Sequence, residues 1–224
     1  MAVYIVIAIL VIAVHLIAIE KQNRYVKSIS KVFIIPYLYL AFLVFTESFG
    51  VIVAGRGLLM AALAFYTLGD LLLEFDKKNM FLYGGASFSV GHVLYAIFFM
   101  MHGFSLGWGV LFIGIWFFIY IFLFEDEIKD AKPNSTLYIA YASIVMILGI
   151  AVGATDFSGN WIAKMIAVAG TLSFAFSDAL VIIRQTKDKS EKEKKDDDLL
   201  IMVTYIGANI LLLSSISLLE VMAV

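Results

Sequence analysis

Asp70 and Asp178 are the side chains best placed to do chemistry in this chain, because each interrupts a long apolar stretch with a carboxyl group. Asp70 stands six residues before Asp76, and Asp178 six before Arg184. In helices that rise 1.5 Å per residue, both acids lie roughly 9 Å below the charged ends of their stretches. Acids at such depth are costly to hold, and they mark a site or a partner. Two buried carboxyls brought together keep one proton between them, since burial and the neighbour's charge both oppose a second ionisation. Such a pair offers a proton donor beside an anion, which suits reactions that pass through an oxocarbenium-like cation. The small neighbours Gly69 and Ser177 leave room for a ligand. A purely structural reading also stands: each acid bridges helices through Ser, Thr, Tyr or Asn partners.

Other polar residues gather at similar levels. Glu74 is one turn from Asp70 on the same helical face, either a member of the site or an acid reaching for the interface. His92 sits among Ser87, Ser89, Gly91 and Tyr95, while Tyr205 and Asn209 share a face of the last stretch. Counted from Met80 and Asp198, His92 and Asn209 lie roughly 17–18 Å deep, below the aspartates. His92 is then a packing residue or a functional one, and His15 and His102 read as interfacial. Three dispersed histidines give no HExxH and no ligand spacing, and no phosphate loop, nucleophile elbow or dinucleotide fingerprint occurs, so neither metal nor cofactor is expected. The absence of cysteine excludes thiol catalysis and disulfides.

The elements that must position these residues follow from composition. A chain of 224 residues that is 62% hydrophobic and 15% charged, with a mean hydropathy of +0.98, is an integral membrane protein. Backbone polar groups have no water to bond in the hydrocarbon core, so runs this long must be helices. The expected fold is all-α, a single transmembrane domain of eight spans near 2–19, 32–46, 57–75, 80–101, 105–124, 136–154, 160–183 and 199–222. Short outer turns at His102-Gly103-Phe104 and Asp156-Phe157-Ser158-Gly159 predict antiparallel neighbours, and Pro36 predicts a bend in the second helix. Residues 185–198 read as a mobile loop.

Threading those spans puts fourteen of the sixteen Lys and Arg on one side, leaving only Arg56 and Lys164 on the other. The positive-inside rule makes the basic loops cytoplasmic and both termini extracytoplasmic, in a cell-membrane protein. Nothing in the charge pattern suggests nucleic acid, and nothing in the chain sets an oligomeric state.

Several short motifs carry a likeness. Phe65-Tyr66-Thr67-Leu68-Gly69-Asp70, then Gly84-Gly85-Ala86-Ser87-Phe88 and Gly91-His92-Val93-Leu94-Tyr95, resemble segments of the YhhN-like lysoplasmalogenase family. Gly170 to Asp178, ending Phe176-Ser177-Asp178, resembles that family's Ser-Asp motif, and Thr204-Tyr205 with Ala208-Asn209 its Tyr-x-x-Ala-Gln, with Asn209 in place of Gln. Lys31 and Pro36 stand apart where the family has Lys-Pro adjacent. The resemblance implies hydrolysis of the vinyl ether bond of lysoplasmalogens, releasing a fatty aldehyde and a glycerophospho-choline or -ethanolamine.

On that reading Asp70 and Asp178 are acid and base or stabiliser in either order. His92 and Asn209 orient water or the hemiacetal oxygen, Glu74 relays protons, and Tyr66, Tyr95, Tyr205 and Ser177 support the substrate. A lysophospholipid entering from the inner leaflet presents its vinyl ether just beneath its headgroup, near the level of the aspartates. The alternative is a proton- or ion-coupled transporter of small molecules or lipids, which uses intramembrane carboxylates too. Against it, the halves show no sequence repeat and no Gly/Pro-broken spans in corresponding places.

Overall fold

The computed structural model describes residues 2–75, 78–105, 111, 114, 135–186 and 189–221. Among these residues the chain forms seven helices: α1 (Ala2–Glu20), α2 (Arg24–Ser48), α3 (Arg56–Leu73), α4 (Lys78–Met100), α5 (Ser135–Ala154), α6 (Trp161–Thr186) and α7 (Glu191–Val221). All seven are long and apolar enough to cross a membrane. The fold is all-helical, as composition requires, and the span expected at 105–124 lies outside the described residues.

Helices α2, α3, α4, α5, α6 and α7 pack each on the next, and α7 returns to α2, closing a ring. The first helix lies outside that ring, against α2 and α7. Its outer face stays exposed at Val6, Ile9, Leu10 and Ile17, as a surface facing hydrocarbon requires. Inside the ring, Tyr66, Tyr95, Phe98, Phe99, Phe174, Leu148 and Leu212 are among the largest fully buried side chains. Aromatic bulk thus fills the space between helices, and polar groups must be held within it by specific partners.

Three expectations change. The loop expected at 185–198 is helical from Glu191, because Ser190 and Glu193 form a capping box: the Ser190 N–H donates to Glu193 Oε2 at 2.8 Å and the Glu193 N–H to Ser190 Oγ at 3.4 Å. The lysine and acid run then pairs with itself and its neighbours, with Lys189 Nζ at 2.5 Å from Asp197 and Lys195 Nζ at 2.9 Å from Glu20. Charge that reads as solvated loop is spent on the first turns of α7.

Helix α2 also begins eight residues before its expected start, capped by the Asn23 side chain, which accepts from the Val26 N–H at 3.2 Å. It runs through Pro36 to Ser48. The earlier start places Lys31 within a helix and not in a loop. His15, finally, is buried against α2 and not exposed: its Nδ1 lies 2.9 Å from Ser30 Oγ and 3.1 Å from the Lys27 carbonyl.

At the opposite end, the two short turns lie side by side. The Ser105 N–H donates to the Ala154 carbonyl at 2.6 Å and the Asp156 N–H to the Gly103 carbonyl at 3.2 Å. His102 Nε2 lies 2.9 Å from Glu220 Oε1, tying α4 to the end of α7.

Candidate active site

Each ring helix sends a polar side chain inward, and these meet in one cluster: Lys31 from α2, Tyr66 and Asp70 from α3, His92 from α4, Tyr141 from α5, Asp178 from α6 and Tyr205 from α7. Asp70 and Asp178 stand on helices that are not adjacent, since α3 and α6 meet only across the ring. Direct pairing between them, open from spacing alone, gives way to two separate sets of partners.

Asp70 is almost wholly buried. Its Oδ2 accepts a hydrogen bond from the Tyr205 hydroxyl at 2.9 Å, and its Oδ1 lies 3.6 Å from Lys31 Nζ. The ammonium sits between two acids, because it is also 3.4 Å from Glu74 Oε1. Glu74 in turn accepts a hydrogen bond from the Ser28 hydroxyl. An ammonium and a phenol O–H facing one carboxylate both stabilise its charged form. Glu74 lies just past the span that ends at Leu73. Burial opposes its charge, but Lys31, the Ser28 hydroxyl and Lys27 outweigh burial and hold its carboxyl below the usual range.

Asp178 has a different environment. Its Oδ2 lies 3.2 Å from His92 Nε2, and the Tyr141 ring packs edge-on against His92 at 6.1 Å between centroids. His92 Nδ1 lies 2.8 Å from the Tyr66 hydroxyl. A neutral imidazole that donates from Nε2 to a carboxylate is left with Nδ1 as an acceptor, and the Tyr66 O–H donates to it. His92 is completely buried, so it needs both partners.

Aromatic rings join the two halves. Phe174 packs edge-on to His92 at 5.2 Å between centroids and to Tyr205 at 5.8 Å, and Tyr66 lies 5.3 Å from Phe174. The two acids and their partners are therefore linked by an intervening layer of packed rings.

The depth count for His92 is corrected by its contact with Asp178. Residues Lys78 to His92 span ~21 Å of helix and Asp178 to Thr186 only ~12 Å, so the ends of α4 and α6 do not mark one plane. Asn209 is one turn beyond Tyr205: its Nδ2 donates to the Tyr205 carbonyl at 2.9 Å, while its buried Oδ1 has no partner. Tyr95 stacks on Tyr66 with centroids 5.9 Å apart, and its buried hydroxyl is likewise unpartnered.

The small residues beside the acids serve packing. A Cβ at Gly69 would lie 2.7 Å from the Phe88 ring, so Phe88 fills the room that glycine leaves. Ser177 turns away from the acids and donates to the Ile201 carbonyl at 3.1 Å. Gly91 lets α4 approach α3, since a Cβ there would lie 2.4 Å from Tyr66 Cε1.

Lys31, Ser28 and Tyr141 are the members that sequence reasoning missed. Lys31 carried a signal: the apolar run of α2 continues upstream through it to the capping residue Asn23. Tyr141 carried none, being one tyrosine among eleven.

The model of the YhhN family matches residues 26–216. That stretch is most of the chain and includes Lys31 and every other ring residue of the cluster, so the chain belongs to the YhhN family. No curated protein and no solved structure matches it.

Proposed function

We propose that this member of the YhhN family is a membrane hydrolase that cleaves the vinyl ether bond of lysoplasmalogen-type lysophospholipids. The observation that carries the reading is the unlike partnering of two carboxylates joined by one layer of rings: Asp70 with Lys31 and Tyr205, Asp178 with His92. Vinyl ether hydrolysis needs a proton donor and an anion in unlike roles, and unlike environments are how a site separates two acids.

On this reading the Asp178–His92 pair takes up one proton from solvent and delivers it to the vinylic carbon β to the ether oxygen. The π electrons of the double bond form the new C–H bond, and the α carbon becomes an oxocarbenium cation with the ether oxygen. Asp70, which faces Lys31 and accepts from Tyr205, stabilises that cation in its carboxylate form. Water adds to the α carbon and gives its extra proton back to the Asp178–His92 pair, forming a hemiacetal. Collapse breaks the bond from that carbon to the glycerol oxygen, which gains one proton as the hemiacetal hydroxyl gives one up, and releases aldehyde and glycerophospho-alcohol. Every proton used returns.

The experiment is aldehyde release from a lysoplasmenyl lipid by purified protein in detergent. Asp70→Asn and Asp178→Asn should each lower turnover by about 10²-fold or more. Unchanged release by both variants removes the pair from the mechanism.

A further inference from the structure

We propose that the Phe174 ring is a gate, displaced when a lysolipid binds, whose movement lets one substrate meet both acids. The inference rests on the hydrolase reading above and deepens it by naming the side chain that must yield.

The proposed chemistry asks for two contacts on one small group: the Asp178–His92 pair on the β carbon, and Asp70 on the cation that forms at the carbon bonded to it. A layer of rings stands in the way. Between centroids, Phe174 lies 5.2 Å from His92, 5.3 Å from Tyr66 and 5.8 Å from Tyr205. Phe88 lies 5.9 Å from both Tyr66 and Tyr205. These are the separations of rings in direct contact. A close-packed layer leaves no width for an alkenyl chain, so a ring has to move before two bonded carbons reach both acids.

Which ring moves follows from how each is held. Tyr66 is fixed by its hydroxyl, 2.8 Å from His92 Nδ1, and Tyr205 by its hydrogen bond to Asp70 at 2.9 Å. His92 is held at both nitrogens. Phe174 and Phe88 carry no polar atom in the side chain, and packing alone keeps them in place. Of the two, Phe174 touches His92, the partner of Asp178, and Tyr205, the partner of Asp70. The ring contacts of Phe88 are with the two tyrosines, and it fills the room at Gly69. Phe174 also stands one turn before Asp178 on the same face of α6. Rotating its side chain to another staggered conformer removes the ring from between the partners of the two acids and breaks no hydrogen bond.

The test places para-fluorophenylalanine at position 174 of the full-length protein in detergent and follows its fluorine resonance. The probe lipid is a saturated 1-O-alkyl lysophosphatidylcholine, which cannot be cleaved, and its binding is measured in parallel by equilibrium dialysis. The same label at Phe98, buried near the other end of α4, is the control. Saturating lipid should shift the resonance at 174 and leave that at 98 in place. Phe174→Ala should bind the lipid about tenfold tighter while melting at lower temperature, the gain expected when a site open in about one molecule in ten no longer has a ring to displace. A ring that served packing alone would give weaker binding in the same variant.

A resonance at 174 that stays put under saturating lipid overturns the gate, as do equal shifts at both positions, which report a change of the whole bundle. A folded Phe174→Ala that binds no tighter than the native protein overturns it too. Where that variant does not fold, the fluorine label, close to the native ring in size, decides. Because binding needs no cleavage, the two readings fail separately. A shifted ring without aldehyde release from a lysoplasmenyl lipid sinks the hydrolase and keeps the gate, release past an unmoved ring sinks the gate alone, and a native protein that neither binds nor cleaves ends both.

Discussion

Lys31 Nζ lies 3.6 Å from Asp70 Oδ1 and 3.4 Å from Glu74 Oε1, a buried ammonium shared by two acids on α3. The arrangement makes Lys31 responsible for the charge state of Asp70, and removing it strands a carboxylate in a setting with little water. Truncating one member of a buried pair costs about 3–5 kcal/mol, whereas replacing both partners is far milder. Lys31→Met should therefore lower the melting temperature in detergent sharply, and Lys31→Met with Asp70→Asn should recover much of the loss. A double variant no more stable than Lys31→Met alone contradicts the pairing.

His92 depends on two contacts of different weight. Tyr66→Phe removes a hydroxyl from a buried imidazole and should destabilise by about 1 kcal/mol while leaving measurable aldehyde release. His92→Phe removes both contacts and the link to Asp178, and should abolish release. Comparing initial rates with thermal melts for the two variants separates loss of stability from loss of chemistry.

Helix approach can be tested without touching a polar group. Gly91→Ala places a methyl 2.4 Å from the Tyr66 ring, whereas a Cβ at Gly85 meets nothing within 4 Å. The first should cost about 1–3 kcal/mol by overpacking and shift the ring that supports His92. Gly85→Ala should be close to silent in the same melt.

The capping of α7 makes a local prediction. Ser190→Ala removes the oxygen that caps Glu193 and should cost ~1 kcal/mol, confined to the first turns of the helix. Faster amide exchange over residues 191–198 with unchanged protection around Tyr205 is the expected pattern.

Glu74 predicts a pH dependence. Its carboxyl is held below the ordinary 4.5 by Lys31, Ser28 and Lys27, against the opposing effect of burial. A group with a lowered folded-state pKa contributes stability that is present above the unfolded value and lost as pH falls through the folded one. Stability should fall as pH drops below about 4.5, and Glu74→Gln should flatten that part of the profile while lowering the plateau at neutral pH.

Much of the site was legible because intramembrane acids are rare enough to stand out. Asp70, Asp178, His92 and Tyr205 each interrupt an apolar helix, and the structure gathers them in one ring interior. What composition and spacing left hidden was of two kinds. Lys31 was taken for loop charge because a lysine near a helix end looks like topology signal until the helix is extended upstream to Asn23. Partner choice was the other, since spacing fixes depth along a helix but not which helices are adjacent. The acids' separation across the ring, and their unlike partners, follow from packing order alone. The run at 185–198 shows the converse, for its polarity reads as loop while its Ser190-x-x-Glu193 spacing fits a capping box.

The most direct measurement is hydrolysis of a lysoplasmenyl lipid in deuterated water, with the products read by mass spectrometry. Protonation at the vinylic β carbon predicts a fatty aldehyde with one deuterium on the carbon next to the carbonyl, formed by the native protein and lost with Asp178→Asn and Asp70→Asn. An unlabelled aldehyde, undiminished release from both variants, or no aldehyde from the native protein would contradict the account.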